Sequence, residues 1–147
     1  MRKILVLAAF TVVFASTALA QNGPLQYYPL TPCRVVDTRN SVSTNGGPIV
    51  GTNSSRSFQI RGLCGVPNSS RAVSLNVTVT QATQASYLTV WPSGLNRPTV
   101  SMLNFEPTDP ALANGIIVAV SENAQDLSVY NNFGNVHVVI DVTGYFQ

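Results

Sequence analysis

Very few residues of this 147-residue sequence are of types that perform chemistry: one histidine, two cysteines, one tryptophan and six acids. His137 and Asp141 share one face of an alternating apolar segment, an arrangement that invites comparison with a proton-shuttling couple. Four positions along a strand span roughly 13 Å, so the two cannot share a hydrogen bond. The sequence also has no Gly-x-Ser-x-Gly elbow to present a nucleophile. His137 is therefore expected to be an isolated strand histidine, no catalytic residue is assigned, and the chain is expected not to be an enzyme.

The remaining reactive types point to structural roles. Cys33 and Cys64 are the only cysteines and form no Cys-x-x-Cys motif. As an even count they are expected to form a disulfide if the chain works in an oxidising compartment, against the alternatives of a two-ligand metal site or free thiols. Closing that loop of roughly thirty residues is worth about 3 to 4 kcal/mol by the chain-entropy argument. Arg34, Asp37, Arg39 and Asp141 lie within β-rich apolar sequence, where an unpaired carboxylate is costly. Arg34 or Arg39 is expected to pair with Asp37 or Asp141 and so to pin the terminal strands together. Metal ligation is not expected: there is no His-Glu-x-x-His motif, and the acids between Glu106 and Asp109 and between Glu122 and Asp126 are too few for a strong calcium loop unless they converge. No cofactor is implied. Tyr87 and Trp91 alternate with Leu88 and Val90, so they are expected on the face away from the core. There they would form a stacking platform for sugar rings, unless a loop or the arm bearing Tyr27 and Tyr28 packs over them.

These residues must be positioned by elements, and the first twenty residues say where the elements work. Arg2 and Lys3 precede the apolar run Ile4 to Phe14, and Ala18-Leu19-Ala20 is a small-x-small cleavage site, so residues 1–20 read as a secretory signal peptide. The apolar run is shorter than the about 20 residues of a membrane-spanning helix. Without the leader, six arginines (34, 39, 56, 61, 71 and 97) balance six acids (37, 106, 109, 122, 126 and 141). A neutral module has no electrostatic footprint for nucleic acid or an anionic bilayer, so neither partner is expected, nor is membrane insertion. The exported chain contains no lysine, which excludes a Lys–Asn isopeptide cross-link.

Residues 21–32 read as an extended, proline-containing arm, and residues 33–147 as a single domain. Strands are expected at 33–38, 56–61, 72–81, 86–91, 100–105, 115–120, 126–131 and 136–146. The segment 72–81 is the clearest, with Val73, Leu75, Val77 and Val79 on one face and hydroxyl or amide side chains on the other. The stretch 40–55, rich in Gly, Asn and Ser, reads as a long surface loop. About eight strands and no helical period define an all-β antiparallel sandwich, jelly-roll or immunoglobulin-like. Most of these segments are shorter than the about 9 to 11 residues that an outer-membrane barrel strand requires.

With the strands placed, several phrases stand out: PCRVVDTR (32–39), CGVP (64–67), AVSLNVTVT (72–80), YLTVWP (87–92), SMLN (101–104), SVYN (128–131) and HVVIDVTGYF (137–146). In these the chain resembles a family of secreted bacterial β-rich modules of cell-surface and exported proteins. The resemblance implies an extracellular or cell-surface location, with the periplasm as the other compartment, and a structural or binding role without assigned catalytic residues. The expected function is an exported structural or adhesive surface module that self-associates, its arm donated as a strand to a neighbour in a filament. The alternative is a carbohydrate-binding module that takes a surface glycan on Tyr87 and Trp91.

Overall fold

The computed structural model describes residues 23–122 and 125–147. The leader at 1–20 and the first two residues of the arm lie outside the described residues. Eight strands follow in order: β1 Tyr27–Asp37, β2 Ser54–Phe58, β3 Ala72–Thr80, β4 Ser86–Pro92, β5 Leu103–Phe105, β6 Ala111–Ala119, β7 Leu127–Asn131 and β8 His137–Phe146. They form two antiparallel sheets, β1-β8-β3-β6 and β2-β7-β4-β5. The chain pairs as a folded ribbon, β1 with β8, β2 with β7, β3 with β6 and β4 with β5. Contacts of β8 with β3 and of β7 with β4 then roll the ribbon into a sandwich. This is jelly-roll connectivity, one of the two sandwich topologies that the sequence pattern allows.

Alternation decides which face of each strand is buried. In β3, Val73, Leu75, Val77 and Val79 point inward, and in β8 so do Val138, Ile140 and Val142. Phe58, Leu88, Leu127 and Val129 meet them from the second sheet. Burial of such side chains, at roughly 25 cal/mol per Å² of apolar surface, is the main force closing the two layers.

Strand bounds shift from expectation, β6 starting at Ala111 rather than 115 and β5 shrinking to Leu103–Phe105, and the segments before and after the first strand differ further. The arm is not a free tail: Tyr27 and Tyr28 are already in β1, opposite Phe146 and Tyr145 of the same chain. Tyr28 stacks on Tyr145 at 5.0 Å and Tyr27 contacts Phe146 at the same separation. Cross-strand aromatic pairs of this kind hold a strand in register despite its prolines. Residues 40–55 lie mostly at the surface, as expected of a loop, but the segment is anchored inward at Gly46, Gly47 and Val50, which are buried. The polar composition there serves the backbone. Asn45 Nδ2 donates to the carbonyls of Val35 and Gln59, and the Arg56 guanidinium donates to those of Ser43, Gly46, Gly47 and Pro48. A loop whose carbonyls are satisfied by side chains is free to pack inward.

Candidate functional site

The charged residues singled out from the sequence meet on the outer face of the first sheet, because Arg34 of β1 lies directly across from Asp141 of β8. Arg34 Nε donates to Asp141 Oδ1 at 2.9 Å, and its Nη2 donates to Oδ2 at 3.3 Å. A two-pronged guanidinium–carboxylate contact fixes orientation as well as distance. Arg34 also approaches Asp37 at 3.6 Å, and Asp37 accepts from the Arg39 backbone N–H, Nε and Nη2. Hydrogen bonds from the Arg39 side chain, opposed by burial, hold the Asp37 carboxyl down at about 2. The same partnerships raise the Arg34 and Arg39 guanidiniums above their ordinary range. All four residues thus form one chain of charge across the β1–β8 seam.

His137 stands apart from this chain. Its Nδ1 is 3.1 Å from Thr38 Oγ1, which accepts the Val138 backbone N–H, so the imidazole is engaged where β8 begins. The disulfide joins Cys33 of β1 to Cys64 in the turn before β3. That turn is tight: Cys64 and Gly65 both have left-handed backbones, with φ of 51° and 82°. Beside it, Arg34, Val35, Asn45, Gln59, Leu63 and Cys64 line an open hollow of about 630 Å³. Its Asn45 amide and Arg34 guanidinium are already bound to protein partners.

The exposed Tyr87–Trp91 platform is corrected by the structure. Trp91 is only 8% exposed, and its Nε1 donates to the Leu95 carbonyl at 3.0 Å. Thr89, fully buried, donates to the Val100 carbonyl. Residues between these two carbonyls therefore fold back over the outer face of the second sheet, because the polar tips of Thr89 and Trp91 need partners that the apolar layer cannot supply. Tyr87 stays half-buried at the rim, 6.1 Å from the Tyr130 ring, over which the Arg97 guanidinium sits at 3.7 Å. It borders a hollow of about 180 Å³ with Arg97, Thr99, Val100 and Ser101.

Two acids of the later loops, Asp109 and Asp126, have local duties. Asp109 Oδ2 accepts the Glu106 N–H and closes a turn. Asp126, fully buried, accepts from the backbone N–H groups of Ile60 and Arg61 and from Arg61 Nε at 2.6 Å. No group of three or more His, Cys, Asp or Glu side chains suited to a metal ion occurs among the described residues. The Arg61–Asp126 pair and the Arg56 clamp were not anticipated from the sequence. The available signal was arginine itself, kept at two positions bordering an alternating apolar strand where a solvated charge is out of place.

Beyond the ion pairs, the outer face of the first sheet is uncharged. Across β8, β3 and β6 it displays Thr143, Ser74, Asn76, Thr78 and Thr80, then Ala111, Ala113, Gly115, Ile117 and Ala119. Its hydroxyls are tied laterally, Ser74 to Thr143 at 2.9 Å and Thr80 to the Pro110 carbonyl at 2.7 Å. The class of protein defined by this architecture is a disulfide-linked, all-β jelly-roll sandwich. No protein-family model matches the chain, and no curated protein or solved structure matches it significantly.

Proposed function

We propose that this chain is an exported, non-enzymatic structural or adhesive module of the cell surface that associates with its own kind. The observation that carries the reading is a division of labour on the first sheet. Arg34 and Asp141 join β1 to β8, and Asp37 and Arg39 are paired with each other and with Arg34 at the end of β1, whereas β3 and β6 present a broad neutral face of small, hydroxyl and amide side chains. Such a face is suited to lying against another surface rather than to polarising a substrate. The disulfide is chemistry of an oxidising compartment, and no helix among the described residues is long and apolar enough to cross a membrane. The resemblance to exported β-rich modules supports the same placement. Electron microscopy and sedimentation of the exported protein, with a count of how much stays on the producing cells, test the reading. Assemblies or surface retention support it; a freely released monomer that turns over a glycan or ester substrate overturns it.

A glycan-binding reading rests on Tyr87 alone among the two aromatics first considered, since its ring borders the small hollow beside Arg97. Loss of glycan pull-down in Tyr87→Ala, with Trp91 untouched, supports that reading over the structural one.

A further inference from the structure

A sheet edge is a row of backbone donors and acceptors waiting for another strand, and proteins that stay apart blunt their edges with brevity, charge, proline or a covering loop. Three of the four edges here are treated in this way. β5 has three residues and β2 has five, with Arg56 at its centre. β1 carries Pro29, Pro32 and Arg34, has two register irregularities, and is covered by residues 40–47, with Asp37 N–H donating to the Asn45 carbonyl. The fourth edge, β6, has none of these devices. It runs nine residues, ALANGIIVA, with no charge and no proline, and pairs with β3 at every position on its other side. Among the described residues, no loop or turn backbone hydrogen bond reaches 111–119.

Resting on the self-associating role proposed above, we infer that β6 is a homodimer edge: β6 of one copy pairs antiparallel with β6 of a second, about a two-fold axis near Gly115. Backbone valence specifies a β-strand as the occupant, and a second copy of β6 meets the requirement because it brings neither charge nor proline to the shared edge. In the register symmetric about Gly115, outward residues meet outward residues and inward meet inward. Ile117, 68% exposed, then lies opposite Ala113 of the other copy, while Leu112 lies opposite Val118. The axis brings no charge against a like charge, because Asp109 and Glu122 fall beyond the strand ends. At the end of β6, Leu95, 66% exposed, shares with Ala119 and Val120 a hollow also lined by Ser93, Ser121 and Glu122, and Asn114 anchors the inner side through its hydrogen bond to the Met102 carbonyl. The dimer is a continuous eight-stranded sheet, β1-β8-β3-β6-β6-β3-β8-β1, carrying its hydroxyl-rich outer face across both copies.

The test is sedimentation of the purified exported protein across a concentration series, paired with hydrogen exchange of residues 111–119. The parent is expected to sediment at twice the monomer mass, with β6 amides that gain protection as concentration rises. A113K/I117K, which places lysines on exposed positions of the edge, is expected to halve the mass and lose that protection while keeping the melting temperature that the parent shows at dilutions where it is monomeric. Val42→Lys, at a still more exposed position but on the guarded side, should leave the dimer intact. A parent that stays monomeric, or a dimer that survives A113K/I117K, overturns the edge assignment. If that variant remains assembled, the edge inference fails while the structural-module reading stands; if it becomes monomeric but is retained on cells, both stand. If the parent neither assembles nor is retained, both fail.

Discussion

β1 and β6 border the same sheet, one on each side of the β8–β3 pair, yet they are built to opposite specifications. β1 is held by a disulfide, by arginine–carboxylate pairs and by stacked aromatic rings, and the 40–47 loop lies along it. β6 has regular pairing to β3, the packing of Leu112, Ile116 and Val118 on the core and the Asn114–Met102 hydrogen bond, and carries no cysteine and no charged residue. Stability is thus concentrated on one flank and contact surface on the other. Substitutions on the β1 flank should change how firmly the chain folds, and substitutions on β6 should change what the folded chain meets.

The largest expected effect lies at the disulfide. Replacing both Cys33 and Cys64 with serine releases the loop between them and should cost about 3 to 4 kcal/mol, within the range for a bridge of this span. Thermal unfolding with and without reductant reads it. The oligomeric state of whatever remains folded should be unchanged, and a variant that unfolds no more easily than its parent would show that the β1 flank is held by pairing alone.

Next comes the charge seam. Arg34→Ala leaves Asp141 without its two-pronged partner and should lower stability by about 1 kcal/mol, since the arginine is half-exposed and its pairing is screened. The companion Arg39→Ala should also lose stability and leave any assembly through β6 intact. Asp37 gives the seam a pH signature. Its folded carboxyl sits near 2, below the unfolded value near 4, so its stabilisation is present above about pH 4 and is lost as pH falls towards 2. Asp37→Asn should flatten that part of the acid unfolding curve; an unaltered curve would assign the acid sensitivity elsewhere.

The contrast between the flanks also explains what was legible in the sequence. β3 and β8 announce themselves because one face is buried and the other wet, and the strict alternation of Val73, Leu75, Val77 and Val79 records that asymmetry. Arg34, Asp37 and Asp141 were legible for the related reason that charge within such a pattern requires a partner. Trp91 misled because alternation reports which side of a sheet a residue occupies but not whether a loop lies over it. The 40–55 segment was legible as a surface loop but not in its inward anchors, because the Asn45 amide and the neighbouring Arg56 guanidinium bind the protein's own carbonyls, a use that composition does not separate from solvation. The start of β1 was hidden by its prolines, which an edge strand tolerates and a central strand does not. The openness of β6 is a property of topology: nothing within ALANGIIVA says that β3 lies on one side and solvent on the other.

Two glycines on this sheet turn the comparison into its finest test. Gly144 lies in β8 beside β1, and a methyl group added there would meet the Tyr27 ring, with its nearest carbons and hydroxyl within 2.6 Å. Tyr27 Oη also donates to the Thr143 carbonyl, and the ring contacts Phe146, so moving it forfeits both. Because the ring is partly exposed and can swing away, Gly144→Ala should destabilise by about 1 kcal/mol rather than abolish folding. Gly115 lies in β6, and a methyl group added there meets nothing within 4 Å. Its backbone is extended, so alanine reduces only the freedom of the unfolded chain, and Gly115→Ala should stabilise by about 0.5 to 1 kcal/mol. Denaturant midpoints of the two variants should therefore move in opposite directions from the parent. Equal shifts would mean that the two flanks of the sheet are packed alike and that the distinction between a guarded and an open edge does not hold.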